Sequence, residues 1–119
     1  MRPQSAKAKG RLGQQELCNI FLKEFPQLEP DDVRSNPMGA PGEDVLLSPA
    51  ARNAIGGLEK VQCEVKRSKA ISAVGWMKQA AGHGTHSPRL FFRQDGRSEP
   101  WYVCMPLESY FKLVKKVKE

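Results

Sequence analysis

Residues 61–66 read Val-Gln-Cys-Glu-Val-Lys, and this stretch decides the fold class. Val61, Cys63 and Val65 alternate with Gln62, Glu64 and Lys66. Successive side chains of a strand point to opposite faces, so period-two alternation predicts a strand with one apolar and one polar face. Glu64 and Lys66 then project together from the polar face.

Downstream, residues 71–82 have the pattern of a helix that ends at Gly82. Pro88 to Gln94 reads as a second strand, Asp95-Gly96 as a turn, and Trp101 to Met105 as the returning strand. Pro106 suits the first turn of a closing helix, with Leu107, Tyr110, Phe111, Val114 and Val117 as its apolar face. Upstream, Asp44 to Ser48 reads as a short strand, and Pro49 to Ile55 as one or two helical turns ended by Gly56-Gly57. Residues 26–43 are rich in proline and glycine and read as a long loop. Leu12, Glu16, Leu17, Ile20, Phe21 and Phe25 recur at helical spacing, giving a helix from Leu12 to Phe25 stopped by Pro26. The order α-β-β-α-β-β-α predicts an α/β fold with a mixed sheet flanked by helices. The 119 residues fit one domain over residues 11–119, with residues 1–10 as a flexible basic arm.

No apolar run approaches the roughly 20 residues of a membrane helix, and no secretory signal is evident, so a soluble, cytoplasmic protein is expected. Cys18, Cys63 and Cys104 are odd in number and lack CxxC spacing, which argues for buried thiols rather than disulfides or zinc. The formal net charge of +6, gathered in short clusters, points to a polyanionic partner.

Asp44 precedes the Glu64-x-Lys66 strand, so adjacent strands would bring two carboxylates and one ammonium together. Two carboxylates suit Mg²⁺, a hard ion that takes oxygen ligands, with Mn²⁺ as its substitute; the Val65 backbone carbonyl offers a further ligand. Lys66 would orient water or stabilise charge on a reacting phosphate. Glu16 lies on the apolar stripe of the first helix, where a carboxylate needs a partner or a metal, and reads as an outer or second-metal ligand. Gln79 reads as a helical side chain reaching back to phosphate or water. Lys9, Arg11, Arg52, Arg67, Lys69 and Lys78 are the expected phosphate contacts. His83 and His86 read as a polar loop, since no third ligand lies nearby in sequence. Asp31 and Asp32 read as turn-capping residues and rivals to Asp44. Trp76, Trp101 and Tyr102 read as packing residues before base-stacking ones.

In this ordered combination the chain resembles the small Holliday-junction-resolvase-like PD-(D/E)XK nucleases, and more closely the short phage-encoded ones. The resemblance runs over about residues 10–115. It is carried by Gly10-Arg11-Leu12 with Glu16, the loop from Ser35 to Arg52 that reaches Asp44, the strand within Gln62 to Ala70, Met77 to Ala81, and the closing hairpin and helix. It implies a restriction-endonuclease-like core and a metal-dependent endodeoxyribonuclease cutting DNA, branched DNA included, as a homodimer, in the host cytoplasm if phage-encoded. The chain departs from the pattern in having Glu43-Asp44 for Pro-Asp, so Glu43 competes as ligand. Two alternatives stand beside this reading: a catalytically inactive nucleic-acid-binding protein on the same fold, or a phage protein that binds a host protein.

Overall fold

The central strand β3 spans Val61–Ser68 and is buried on both faces over its first five residues. The computed structural model describes residues 6–96 and 98–118. Around β3 the elements run α1 (Ala6–Glu24), β1 (Val33–Ser35), β2 (Val45–Leu47), α2 (Pro49–Gly56), β3, α3 (Ala73–Ala81), β4 (Ser87–Gln94), β5 (Tyr102–Cys104) and α4 (Leu107–Val117). The sheet has five strands in the order β1-β2-β3-β4-β5. It is mixed: β3 and β4 are parallel, joined by the α3 crossover, and the other pairs are antiparallel. The result is an α/β fold with helices on both faces of the sheet.

Strand alternation assigns those faces. A Cβ placed on Gly13 of α1 would lie 3.4 Å from the Arg67 Cβ and 3.9 Å from a Val65 methyl, so α1 covers the odd-numbered face of β3. On the other side Trp76 of α3 leans on Phe92, which is registered with Lys66, so α3 covers the even-numbered face. The core lies under α1, where Leu17, Cys18 and Phe21 meet Val33, Val45, Val61, Cys63 and Val65. Phe21 and Phe91 close it edge to face at 5.2 Å between centroids, a favoured aromatic geometry.

Four expectations need correction. The first helix begins at Ala6, so residues 6–10 of the expected arm are helical; residues 1–5 lie outside the described residues. Its buried stripe is Gln14, Leu17, Cys18 and Phe21, while Leu12 and Ile20 are exposed at 37% and 41%. The small residues Gly13 and Cys18 turn that stripe by letting the helix sit close to the sheet. The proline-rich loop contains a short strand, β1, held by three ladder pairs to β2, and a 3-10 turn at Pro30–Asp32. The polar face of β3 is buried rather than wet, with Gln62 2% and Glu64 4% exposed.

No helix among the described residues is long and apolar enough to cross a membrane. Cys18 and Cys63 are buried free thiols, as expected, and Cys104 is half-buried. Burial raises the Cys18 thiol to about 11 and pushes Cys63 higher still.

Candidate active site

Asp44 sits one residue before β2, whose Val45 pairs with Cys63 of β3. Its backbone is held twice: its N–H donates to the Cys63 carbonyl and its carbonyl accepts from Asn36 N–H, both at 2.9 Å. The turn before it needs Gly42 at φ +95°, a conformation that favours glycine. Asn36 then ties that turn down, donating through Nδ2 to the Glu43 carbonyl at 2.9 Å and the Pro41 carbonyl at 3.1 Å.

Thus fixed, the Asp44 carboxylate accepts from the Val65 N–H at 2.7 Å. In an extended strand the N–H and C=O of one residue point to the same edge, so the Val65 carbonyl lies on the Asp44 side of β3. Burial raises the Asp44 carboxyl to about 6; the Val65 N–H opposes this, the nearby Glu64 charge adds to it, and His83 offsets it. Glu64 is buried, and each of its oxygens faces a potential cation. Lys66 Nζ lies 3.4 Å from Oε1, and His83 Nε2 contacts Oε2. Asp44, Glu64 and His83 each offer one ligand atom, all within 4.8 Å of one another.

Asp44 and Glu64 open onto a cleft of ≈ 300 Å³ lined by Gly10, Gln14, Met38, Asp44, Glu64, Val65, Lys66, Arg67, Ser68 and Trp76. Of the residues expected at a catalytic centre, the structure therefore brings together Asp44, Glu64, Val65 and Lys66. Trp76 stands at the rim, tilted against Phe92 at 6.3 Å.

Glu16 is not part of this group. Its carboxylate accepts from the Trp101 indole N–H at 2.6 Å and pairs with Arg93 at 3.3 Å and Arg67 at 3.8 Å. The acid on the apolar stripe has found cations in place of a metal. Gln79 is exposed on α3 and does not line the cleft. Asp32 accepts from the Glu29 N–H within the 3-10 turn, so it is a cap and no rival to Asp44.

Glu43 and Arg52 cancel each other as candidates. Arg52 donates to both Glu43 oxygens at 2.9 Å, and to the Val61 and Leu47 carbonyls at 2.5 and 3.1 Å. A guanidinium with its fork filled by a carboxylate and two carbonyls is a structural clamp, with those donors already engaged within the fold. Lys9 and Arg67 are engaged too, on Asp95 at 2.7 and 3.7 Å. Arg11, Lys69 and Lys78 are exposed and carry the remaining expectation of phosphate contact.

Gln14 and Gln62 escaped the sequence reading as functional positions, and His83 was set aside there as a polar loop. Gln14 is buried at the cleft edge. With its amide nitrogen turned inward it donates to the Asn36 and Asp44 carbonyls at 3.0 and 3.2 Å, anchoring the loop that presents Asp44. A glutamine at the i−3 and i−4 positions from Leu17 and Cys18 was the available signal. His83 follows α3 directly, and the parallel crossover returns it beside the strand that α3 leaves. Gln62 sets that return: its Nε2 donates to the Ala80 carbonyl at 2.7 Å, and its Oε1 accepts from His86 N–H at 3.0 Å. A Cβ on Gly84 would lie 2.9 Å from that Oε1, so a side chain there would displace the Gln62 amide that holds the loop.

The chain matches no family model, and neither a curated protein nor a solved structure matches it.

Proposed function

We propose that this chain is a divalent-metal-dependent DNA endonuclease of the PD-(D/E)XK type, hydrolysing phosphodiester bonds with branched DNA as its preferred substrate. The observation that carries the reading is the convergence of Asp44, Glu64 and Lys66 on one cleft, from a strand pair with the acid-x-lysine spacing on its central member.

The donor set fits a hard or borderline divalent cation, because carboxylate oxygens of Asp44 and Glu64 lie within 4.8 Å of one another and a divalent ion between them would offset both charges. Asp44, Glu64 and the Val65 carbonyl would hold Mg²⁺ or Mn²⁺, which when bound polarises a phosphoryl oxygen and acidifies a water. The chain's own groups do the rest. The Val65 N–H keeps the Asp44 carboxylate in one orientation. The Asn36 and Gln14 bonds hold the loop that presents it. Lys66, on the same face as Glu64, meets the negative charge that grows on the phosphate oxygens as the bond breaks. Exposed Arg11, Lys69 and Lys78 supply the sequence-independent attraction to the DNA backbone.

The test is cleavage of a labelled four-way junction and of a linear duplex of the same sequence in Mg²⁺ and in Mn²⁺. Metal-dependent cleavage that is lost in Asp44→Asn and Lys66→Ala supports the reading. Junction binding without cleavage in either metal would favour a binding protein on this fold, and wild-type rates in both variants would sink the assignment of the site.

A further inference from the structure

We infer that His83 is a third ligand of the cation, and that the site takes a borderline first-row ion such as Co²⁺ in preference to Mg²⁺. The inference rests on the two-carboxylate site proposed above and adds to it an imidazole from a different element.

His83 reaches the cluster from the loop after α3, on a different segment from either carboxylate. Its Nε2 contacts Glu64 Oε2, and one of its ring nitrogens lies within 4.8 Å of ligand oxygens of both Asp44 and Glu64. Two carboxylates and one imidazole from three separate segments form a mixed oxygen–nitrogen donor set. Such a set is not what Mg²⁺ selects, since that ion prefers oxygen and keeps most of its waters. Imidazole suits later first-row ions, and affinity for a mixed site rises from Mn²⁺ through Co²⁺.

The loop is built to hold the ring there. Gln62 is buried on the same face of β3 as Glu64, two residues away, and its side chain grips both sides of His83. It donates to the carbonyls of Ala80 and Gly84 and accepts from the N–H of His86. A loop whose only task was to end α3 would not need a buried glutamine with three bonds to it. His83 is also the first residue after the Gly82 cap, so its backbone is fixed from the helix side as well, its N–H donating to the Ala80 carbonyl.

The arrangement could instead be an ion pair that neutralises Glu64, in which case His83 would compete with a metal rather than bind it. The two roles predict opposite effects of removing the ring. The experiment titrates wild type, His83→Asn and Asp44→Asn with Co²⁺, followed by ligand-field absorption, and with Mg²⁺, followed by displacement of Co²⁺ and by calorimetry. Wild type is expected to bind Co²⁺ more tightly than Mg²⁺. In His83→Asn the Co²⁺ affinity is expected to fall about tenfold or more while Mg²⁺ affinity changes by less than about threefold, and the absorption band shifts as nitrogen is lost. Asp44→Asn is expected to weaken both ions. A His83→Asn protein that binds both ions equally well or more tightly overturns the inference but leaves the carboxylate site standing. Undiminished binding of both ions by Asp44→Asn would remove the carboxylate site itself. A thermal melt of metal-free His83→Asn alongside wild type confirms that the variant is folded at the titration temperature, so a loss of metal is read apart from a loss of fold.

Discussion

Replacing Arg52 by alanine separates a structural clamp from a DNA contact. The side chain ties α2 to three other places: the Glu43 carboxylate beside Asp44, the end of β2 at Leu47, and the start of β3 at Val61. Arg52 is 16% and Glu43 10% exposed, so truncation leaves a nearly buried carboxylate without its cation and two carbonyls without a donor. Breaking a buried pair by removing one partner costs about 3–5 kcal/mol, because the remaining charge is uncompensated. Water can reach the emptied site from its partly open side, so we take the lower end, about 3 kcal/mol. Against a total stability of about 5–15 kcal/mol for a domain of this size, that is a large fraction. It corresponds to a melting temperature lower by roughly 10 °C. Urea melts of Arg52→Ala, of Glu43→Leu and of the double variant Glu43→Leu/Arg52→Met are the assay. The double variant should recover much of the loss, since apolar groups of similar volume often replace a buried ion pair at little cost. Junction binding by folded Arg52→Ala should keep the wild-type salt dependence. The exposed Lys69→Ala and Lys78→Ala should each flatten the slope of log K against log salt by about 1 if they contact phosphate. An Arg52→Ala protein as stable as wild type, with a flattened slope, would refute the clamp and restore the phosphate contact.

Further expectations can be checked with the same variants. Lys66→Ala should slow cleavage by on the order of 10²–10³, the usual cost of one group aimed at transition-state charge, with little change in junction affinity measured in Ca²⁺. Asp44, raised from 3.8 to about 6, must be ionised to hold a cation, so metal affinity should climb with pH until about 6 and level off above it; a flat profile over pH 5–7 would contradict the raised value. The same shift means the folded state binds the Asp44 proton more tightly than the unfolded one. Its contribution is then complete below pH 3.8 and is lost as pH rises to about 6. The difference in stability between Asp44→Asn and metal-free wild type should therefore widen over that window, by at most about 3 kcal/mol and by less where solvent reaches the group. Glu59 is lowered from 4.5 to about 2, chiefly by Lys112, so its contribution runs the other way, present above pH 4.5 and lost toward pH 2. Glu59→Gln should loosen α4, read as faster amide exchange there than elsewhere. Of the three thiols, Cys104 should react with a thiol reagent in the native protein while Cys18 and Cys63 react only on unfolding.

What could be read from sequence follows from how local each signal was. Strand alternation at Val61–Lys66 and the proline and glycine stops around it are properties of adjacent residues, and the elements they predict are present within a few residues of their expected bounds. The apolar stripe of α1 was misphased because Leu12 and Ile20 look more like core than Gln14 and Cys18 do. Close packing of Gly13 on the Arg67 and Val65 side chains decided otherwise. β1 was invisible because three residues carry too little period, and its stability comes from the ladder to β2. Asp44, Glu64 and Lys66 were legible because acid, spacing and strand order can all be seen along the chain. Arg52 and Glu16 were misread for one shared reason. Charge is visible in sequence but its partner is not, and Arg52 meets Glu43, while Glu16 meets Arg67, Arg93 and Trp101, only once the chain has folded.

His83 shows the same limit from the other side, and it bears on why this cluster is held as it is. Two carboxylates a few ångströms apart repel, and burial makes each charge dearer. The fold answers with the Val65 N–H on Asp44 and with Lys66 and His83 on the two oxygens of Glu64. Each of those contacts comes from β3 or from the crossover that leaves it, so the strand that brings the acids together also brings the groups that make them tolerable. Burial is the chief reason the Asp44 carboxyl is raised, and the Glu64 charge adds to it. Gln14 braces the loop that presents Asp44 and Gln62 the loop that carries His83, so the pair is held from both sides, as the cation site proposed above requires.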